Sequence, residues 1–225
     1  MELIAKDLSR RYFRQGKGKN FFFAVEQTNL ALEPGKLIQI SGRSGSGKST
    51  LLNMLAGLLE PTTGQVLLDG QDLYALSDAD RSRLRNRCIG VMPQGHTGLH
   101  SLTVLENVKL PTGLYGDGTC TEEQAVSLLE QVGIVELKNA YPNELSGGEM
   151  RRLAIARALV MNPGILLADE PTGDLDDQNT RAVLALLRAK ADEGKAVLLV
   201  THEQEAAAYC DRVLQMSGGV LTPAG

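Results

Sequence analysis

The stretch Gly42-Arg-Ser-Gly-Ser-Gly-Lys-Ser-Thr50 constrains this chain more than any other. It fits G-x-x-x-x-G-K-[ST], with Gly42, Gly47, Lys48 and Ser49 in the fixed positions. The run Lys36-Leu-Ile-Gln-Ile-Ser41 precedes it and reads as a buried strand. Thr50-Leu-Leu-Asn-Met-Leu-Ala56 follows as a helical apolar pattern, stopped by Gly57. Strand, glycine-rich turn and helix in that order set backbone N–H groups around an anion at a positive helix end. In such a loop the Lys48 ammonium reaches the β- and γ-phosphates and the Ser49 hydroxyl joins a Mg²⁺ shell. The whole segment, Gly42, Arg43, Ser44, Gly45, Ser46, Gly47, Lys48, Ser49 and Thr50, is therefore read as a nucleotide-binding loop.

A chain of 225 residues is most simply one domain with room for an inserted lobe. Its formal net charge of −4 argues against broad binding to nucleic acid or to a membrane surface. Met1 to Arg11 lacks the apolar core of a signal peptide, and no apolar run approaches the roughly 18 to 20 residues of a membrane span. The expectation is a cytoplasmic chain, unless a partner holds it at a membrane. Cys88, Cys120 and Cys210 form no C-x-x-C pair, so neither a zinc site nor a disulfide framework is suggested. Cys88 and Cys210 read as buried free thiols.

Residues 2 to 6 and 21 to 33 read as strands, joined by the turn-rich Arg14 to Asn20. Tyr12 falls where the first strand ends and reads equally as a packing residue. Phe21, Phe22 and Phe23 read as strand residues rather than a ring platform. Gln65 to Asp69 is a strand, Asp72 to Arg87 a polar helix, and Cys88 to Met92 a buried strand stopped by Pro93. Gln94 stands at that strand's exit, where a polar side chain can face a ligand. From Gly95 to Asn143 the pattern turns helical, over Thr103 to Leu110 and Thr121 to Val132, with Gly113, Gly116 and Gly118 at the join. Thr121-Glu-Glu-Gln124 is a capping box.

Leu145-Ser-Gly-Gly-Glu149 then opens an amphipathic helix from Met150 to Met161. Ser146 is a plausible N-cap, and Gly147 and Gly148 expose backbone N–H groups at a positive helix end, a second anion site. Gly164 to Ala168 is an apolar strand ending in Asp169-Glu170. Carboxylates closing a buried strand are costly unless a cation or proton chemistry uses them. Asp169 suits a Mg²⁺ ligand and Glu170 a general base. Asp174 and Asp176 lie on the next loop. A helix from about Asp177 to Ala191 and a strand Lys195 to Val200 lead to Thr201-His202. In isolation His202 reads as a helix cap. Arg212 to Met216 is a strand that turns at Ser217-Gly-Gly219 into a last short one.

Together these segments resemble the ATP-binding subunits of ABC transporters across essentially the whole chain. Phosphate loop, Gln94, Leu145 to Glu149, Asp169-Glu170 and His202 stand in the family's order. The resemblance implies an α/β fold: a P-loop NTPase cassette with a mixed-sheet RecA-like core, an N-terminal antiparallel β subdomain and an inserted α-helical lobe. About 1–94 and 146–225 would form the core with the β subdomain, and about 95–145 the lobe, with the signature at its end. By the same resemblance Tyr12 stacks on adenine, and Gln94 contacts Mg²⁺ and reports to a membrane partner. Ser146, Gly147, Gly148 and Glu149 form the signature, Asp169 holds the metal and Glu170 is the base. Asp176 is the D-loop aspartate and His202 the switch histidine at the γ-phosphate. Two chains then pack head to tail around two ATP, and an integral membrane permease docks near Gln94 and the lobe. No nucleic-acid partner is expected, and the chain would sit peripherally on the inner face of the cell membrane.

A narrower resemblance, between Val91 and Gly116 with its run Ser101 to Pro111 and in Pro171-Thr-Gly-Asp-Leu-Asp176, is to the lipoprotein-releasing, macrolide-export and cell-division branch. That branch implies an exporter or a mechanotransmission complex. The chain departs from it at Gly95-His96-Thr97-Gly98, where members carry an aromatic. It also departs at Asp174, usually Asn, and at Arg151, usually Gln. An importer ATPase remains an alternative. A soluble cassette acting on DNA or ribosomes usually adds a coiled coil or a second cassette, and this chain has neither feature. A P-loop nucleotide kinase would not need Leu145 to Glu149.

Overall fold

The fold is described from a computed structural model at residues 1–13, 21–95, 98–115, 120–173 and 175–224. Arg14 to Asn20, His96, Thr97, Gly116, Gly118 and Asp174 lie outside the described residues. The first half runs β1 (Leu3–Phe13), β2 (Phe21–Leu32), β3 (Leu37–Ser41), α1 (Lys48–Leu55), β4 (Thr63–Leu68), β5 (Gln71–Asp72), α2 (Asp78–Cys88) and β6 (Ile89–Met92). The second runs α3 (Val104–Gly113), α4 (Glu122–Gln131), α5 (Gly147–Leu159), β7 (Ile165–Asp169), α6 (Asp177–Asp192), β8 (Ala196–Val200), β9 (Arg212–Ser217) and β10 (Val220–Pro223).

The strands make two sheets. One is antiparallel, in the order β2-β1-β4-β5; the other is mixed, in the order β10-β9-β3-β8-β7-β6. In the mixed sheet β9, β3, β8, β7 and β6 run parallel, and β10 pairs antiparallel with β9. Both faces of the central strands are apolar, as a covered parallel sheet requires. Alternate residues divide between two cores. Ile38, Ile40, Ile165, Leu167, Leu198 and Val200 join the antiparallel sheet and α1. Leu37, Leu166, Ala168, Val197 and Leu199 pack on the other face against α5 and α6, in a core that also takes in α3 and α4. Leu51, Leu52, Met54 and Leu55 carry α1 into the first core. Each such buried side chain contributes about 2 kcal/mol of hydrophobic stabilisation.

The connections place the site. Parallel strands need crossovers, so the chain leaves β3, β6, β7 and β8 at one edge of the sheet, where α/β proteins bind ligands. The phosphate loop follows β3, Gln94 follows β6, Asp169 and Glu170 close β7, and His202 follows β8.

Four sequence expectations are corrected. The Asp72 to Arg87 helix is broken: Asp72 ends β5, a 3-10 turn covers Leu73–Ala75, and Ser77 caps a new helix by accepting from Asp80 N. The break lets Tyr74 Oη donate to the carbonyls of Met54 and Leu59 beneath it. The helix expected to stop at Leu110 runs through Pro111 to Gly113, and Asn86 Nδ2 donates to the Pro111 carbonyl. The first strand extends to Phe13 because β2 pairs with it as far as Phe21. Cys210 is half-buried rather than buried, although burial still pushes its thiol up to about 12.

Candidate functional site

Two glycines of the phosphate loop are fixed by close backbone approach. Gly42 and Gly47 have φ of 155° and 109°, and a Cβ on either would overlap a carbonyl, that of Met216 or of Ala24. Gly47 is the N-cap of α1, so the loop ends on a helix N-terminus. Lys48 is buried, and its Nζ donates to the carbonyls of Gly42 (2.8 Å) and Arg43 (3.1 Å). The ammonium is thereby held over the mouth of the loop.

Asp169 faces it from the end of β7. The carboxyl is buried, and its Oδ1 has no hydrogen-bond partner among the described residues. Burial raises its pKa most; the Ser49 hydroxyl bond lowers it, the Glu170 charge raises it, and Lys48 and Arg151 lower it. Hard oxygen donors at Asp169 and Ser49, with one orphaned buried lone pair, fit a hard divalent cation. Among the described residues no group of three or more His, Cys, Asp or Glu gathers into a metal cluster. A cation here would therefore keep several waters, as magnesium does.

Glu170 has φ of 49°, a left-handed conformation that costs a non-glycine residue energy. Its N–H is anchored to the Val200 carbonyl at 2.8 Å, tying the end of β7 to β8. The turn aims its side chain into the cleft, where both carboxylate oxygens lie 3.1 Å from His202 Nδ1. That glutamate side chain is 12% exposed and the histidine 72% exposed, so the pair spans from the cleft floor to its rim.

One cleft of about 1280 Å³ is lined by Tyr12, Gly42 to Thr50, Gln94, Asp169, Glu170 and His202. Tyr12 sits in β1 under the Arg10 guanidinium, 4.9 Å from the ring centroid. Phe22 of β2 stacks on Tyr12 at 5.9 Å, and Phe22 and Phe23 line the same cleft. The sequence reading took both rings as strand residues only; the pairing of Phe22 with Tyr12 across the two strands, and of Phe23 with Arg11, is what brings them to the cleft.

Ser146, Gly147, Gly148, Glu149 and Asp176 are not among the lining residues of that cleft. Ser146 caps α5 in a complete capping box: its Oγ accepts from Glu149 N, and Glu149 Oε2 accepts from Ser146 N at 2.7 Å. The Glu149 carboxylate also accepts from Ser146 Oγ at 2.8 Å. Asp176 caps α6, accepting from Asn179 N at 2.9 Å, and Arg152 of α5 donates to Asn179 Oδ1. Of the two glycine-bearing helix N-termini, those of α1 and α5, only that of α1 lines the cleft.

The family model for ABC transporter matches residues 25–173. The chain belongs to that family. It is 42% identical over 207 residues to an uncharacterised ABC transporter ATP-binding protein of Methanocaldococcus jannaschii, covering 92% of each. It is 44% identical over 199 residues to the lipoprotein-releasing system ATP-binding protein LolD of Shewanella oneidensis, covering 88% of this chain and 86% of that one. A dimeric ATP-binding cassette solved in a post-hydrolysis state with ADP and Pi superposes with a TM-score of 0.90 at 33% identity, over 99% of each chain. This ABC cassette is therefore an ATP-binding protein and an ATPase, as the resemblance implied, with the expected α/β fold.

Two further polar side chains reach the cassette's cleft. Glu203 lies one residue past His202, its Oε2 accepting from Thr172 Oγ1 at 2.8 Å. Arg151 comes from α5 and is buried. Only its departure from the branch pattern marked it in the sequence.

Proposed function

We propose that this cassette hydrolyses ATP as one half of a head-to-tail pair of identical chains and drives a membrane-embedded ABC exporter or mechanotransmission complex. The observation that carries the pairing is the separation of the two anion-binding helix ends. The N-terminus of α1 lines the cleft and that of α5 does not. A helix N-terminus with exposed glycine N–H groups attracts phosphate, and α5 finds no such group inside its own chain's cleft. The superposition on a dimeric cassette supports a second copy as the source.

Within one cleft, the Tyr12 ring stacks on the adenine, and the N–H groups from Gly42 to Thr50 hold the phosphates. Lys48 gives up its loop carbonyls for the β- and γ-phosphate oxygens. Asp169, Ser49 and Gln94 would hold Mg²⁺, which when bound would neutralise phosphate charge. Glu170 Oε takes the proton of the attacking water, and His202 Nδ1 fixes the orientation of that carboxylate. Ser146, Gly147 and Gly148 of the partner cover the γ-phosphate, with Glu149 fastening the Ser146 cap. Asp176 holds the loop between the two sites.

Residues about 95–145 act as the helical lobe that meets the permease, together with the Gln94 turn. The rest, about 1–94 and 146–225, is the core. The lipoprotein-releasing relatives support the membrane-coupled reading and a peripheral place on the inner face of the cell membrane. No described helix is long and apolar enough to cross a membrane.

The test is Ser146→Arg. A bulky cation at that helix start obstructs the partner's nucleotide but stands outside this chain's cleft. Turnover should be abolished while ATP binding to the isolated chain stays within about threefold of wild type. Loss of binding in the isolated chain would show that both helix ends serve one nucleotide and would refute the head-to-tail reading.

A further inference from the structure

We infer that Arg151 is a positioning residue that ties the Gln94–Gly95 turn to the helix carrying Ser146. Arg151 is 7% exposed and lines the cleft. Arg151 Nη1 donates to the Gly95 carbonyl at 3.4 Å, a long contact strengthened by the donor's charge. Gly95 has φ of 92°, so the turn leaving β6 is bent as glycine permits. On the other side, a Cβ at Gly173 would lie 3.4 Å from Arg151 Nη2, so the loop after Glu170 abuts the same guanidinium. Arg151 Nε is buried and has no partner among the described residues.

Burying a guanidinium costs several kcal/mol unless it is well partnered, and an apolar side chain of equal length would fill the space without that cost. Packing therefore does not account for a charge at this position. Position on the helix does. Arg151 lies in the first turn and a half of α5, close behind the Ser146 cap, and the adjacent Arg152 reaches Asn179 at the start of α6. Neighbouring residues of one helix thus reach two separate segments: Arg151 the turn at Gly95, beside Gln94, and Arg152 the Asn179 that Asp176 caps at the start of α6. A shift of α5 would pull Gln94 with it. The inference rests on the proposed role of Gln94 in the cleft; its own content is the link from that residue to α5.

The experiment measures steady-state ATP hydrolysis of Arg151→Met, Arg151→Gln, Gln94→Ala and the double variants. Met keeps an unbranched stem, two atoms shorter, and removes every donor; Gln keeps an amide NH2 donor group and removes the charge. Misplacing a catalytic turn by about 1 Å costs on the order of a hundredfold. For Arg151→Met the expected result is kcat lower by about ten- to a hundredfold, with KM for ATP within about twofold and a thermal midpoint no lower than wild type. Arg151→Gln should recover most of that kcat, and should fold even if the Met variant does not. Gln94→Ala combined with either should be no worse than Gln94→Ala alone. A wild-type kcat in both Arg151 variants, a change in KM alone, or losses that multiply in the doubles would each overturn the tether. If Gln94→Ala hydrolyses at the wild-type rate, the Gln94 role fails instead, and the Arg151 variants then separate the two: loss of kcat without it also rules out a link through Gln94.

Discussion

Replacing Glu170 by Gln separates binding from chemistry with little structural disturbance. The left-handed backbone at φ of 49° and the bond from its N–H to the Val200 carbonyl do not depend on the side-chain charge. The side chain keeps its length, and one oxygen remains to meet His202 Nδ1, which now faces two at 3.1 Å. What disappears is the basic oxygen that takes a proton from water. Loss of a general base costs about 10² to 10⁴ in rate, or about 2.7 to 5.5 kcal/mol of barrier.

Binding should move the other way. Glu170 raises the pKa of buried Asp169 by charge repulsion. Neutralising it also removes a negative charge that repels the phosphates of ATP, so nucleotide binding should survive or improve. ATP should therefore accumulate uncleaved between two chains. Phosphate release should fall by two to four orders of magnitude, while sizing chromatography shows a dimer in Mg-ATP and a monomer in ADP. Asp169→Asn, which loses the charge that a cation needs, should stay monomeric in both. Wild-type hydrolysis by Glu170→Gln would place the base elsewhere, with His202 next to test. An inactive but monomeric variant would leave the base in place and remove the ATP-held dimer.

Lys48→Ala should abolish tight ATP binding and turnover, read by nucleotide binding and phosphate release; normal hydrolysis by the folded variant would sink the phosphate-loop reading. Tyr12→Ala should weaken ATP by about 1 kcal/mol, roughly fivefold in Kd, with the thermal midpoint little changed, and an unaltered Kd would pass the adenine contact to Phe22 or Phe23. Asp211 is held down to about 2, first by the Leu37 N–H bond and then by Arg188. Its folded pKa is depressed, so its stability contribution is present above about pH 4 and fades toward about pH 2. Asp211→Asn should cost about 1 kcal/mol at pH 7, reduced from the full shift because the side chain is partly exposed. Urea unfolding should show the loss shrinking at pH 3, and a loss independent of pH would assign it to packing.

The parallel core was legible because its strands are short apolar runs bounded by turn residues, and the order phosphate loop, Gln94, Asp169-Glu170, His202 follows the strand ends. Helix boundaries were less legible where a tertiary contact decided them. Nothing in the polar stretch Asp72 to Arg87 records that Tyr74 must drop onto Met54 and Leu59, and that drop is what splits the helix. Pro111 carries a local stop signal that tertiary packing overrides, leaving its carbonyl to Asn86. Phe22 was read as a strand residue, which it is, but cross-strand pairing with Tyr12 also turns its ring toward the cleft.

Arg151 shows the same limit from another side. A sequence motif specifies which residues meet a ligand directly; it does not record which side chain holds one motif against another. Leu145 to Glu149 and Gln94 are about fifty residues apart, and nothing local to either implies contact between them. The link arises because α5 packs on the face of the sheet where β6 ends, bringing its first turns beside Gly95. The helix end that is free to meet a second chain is then mechanically joined to the turn in its own cleft. An ATPase that must report the arrival of its partner needs a connection of this kind, and here one buried guanidinium supplies it.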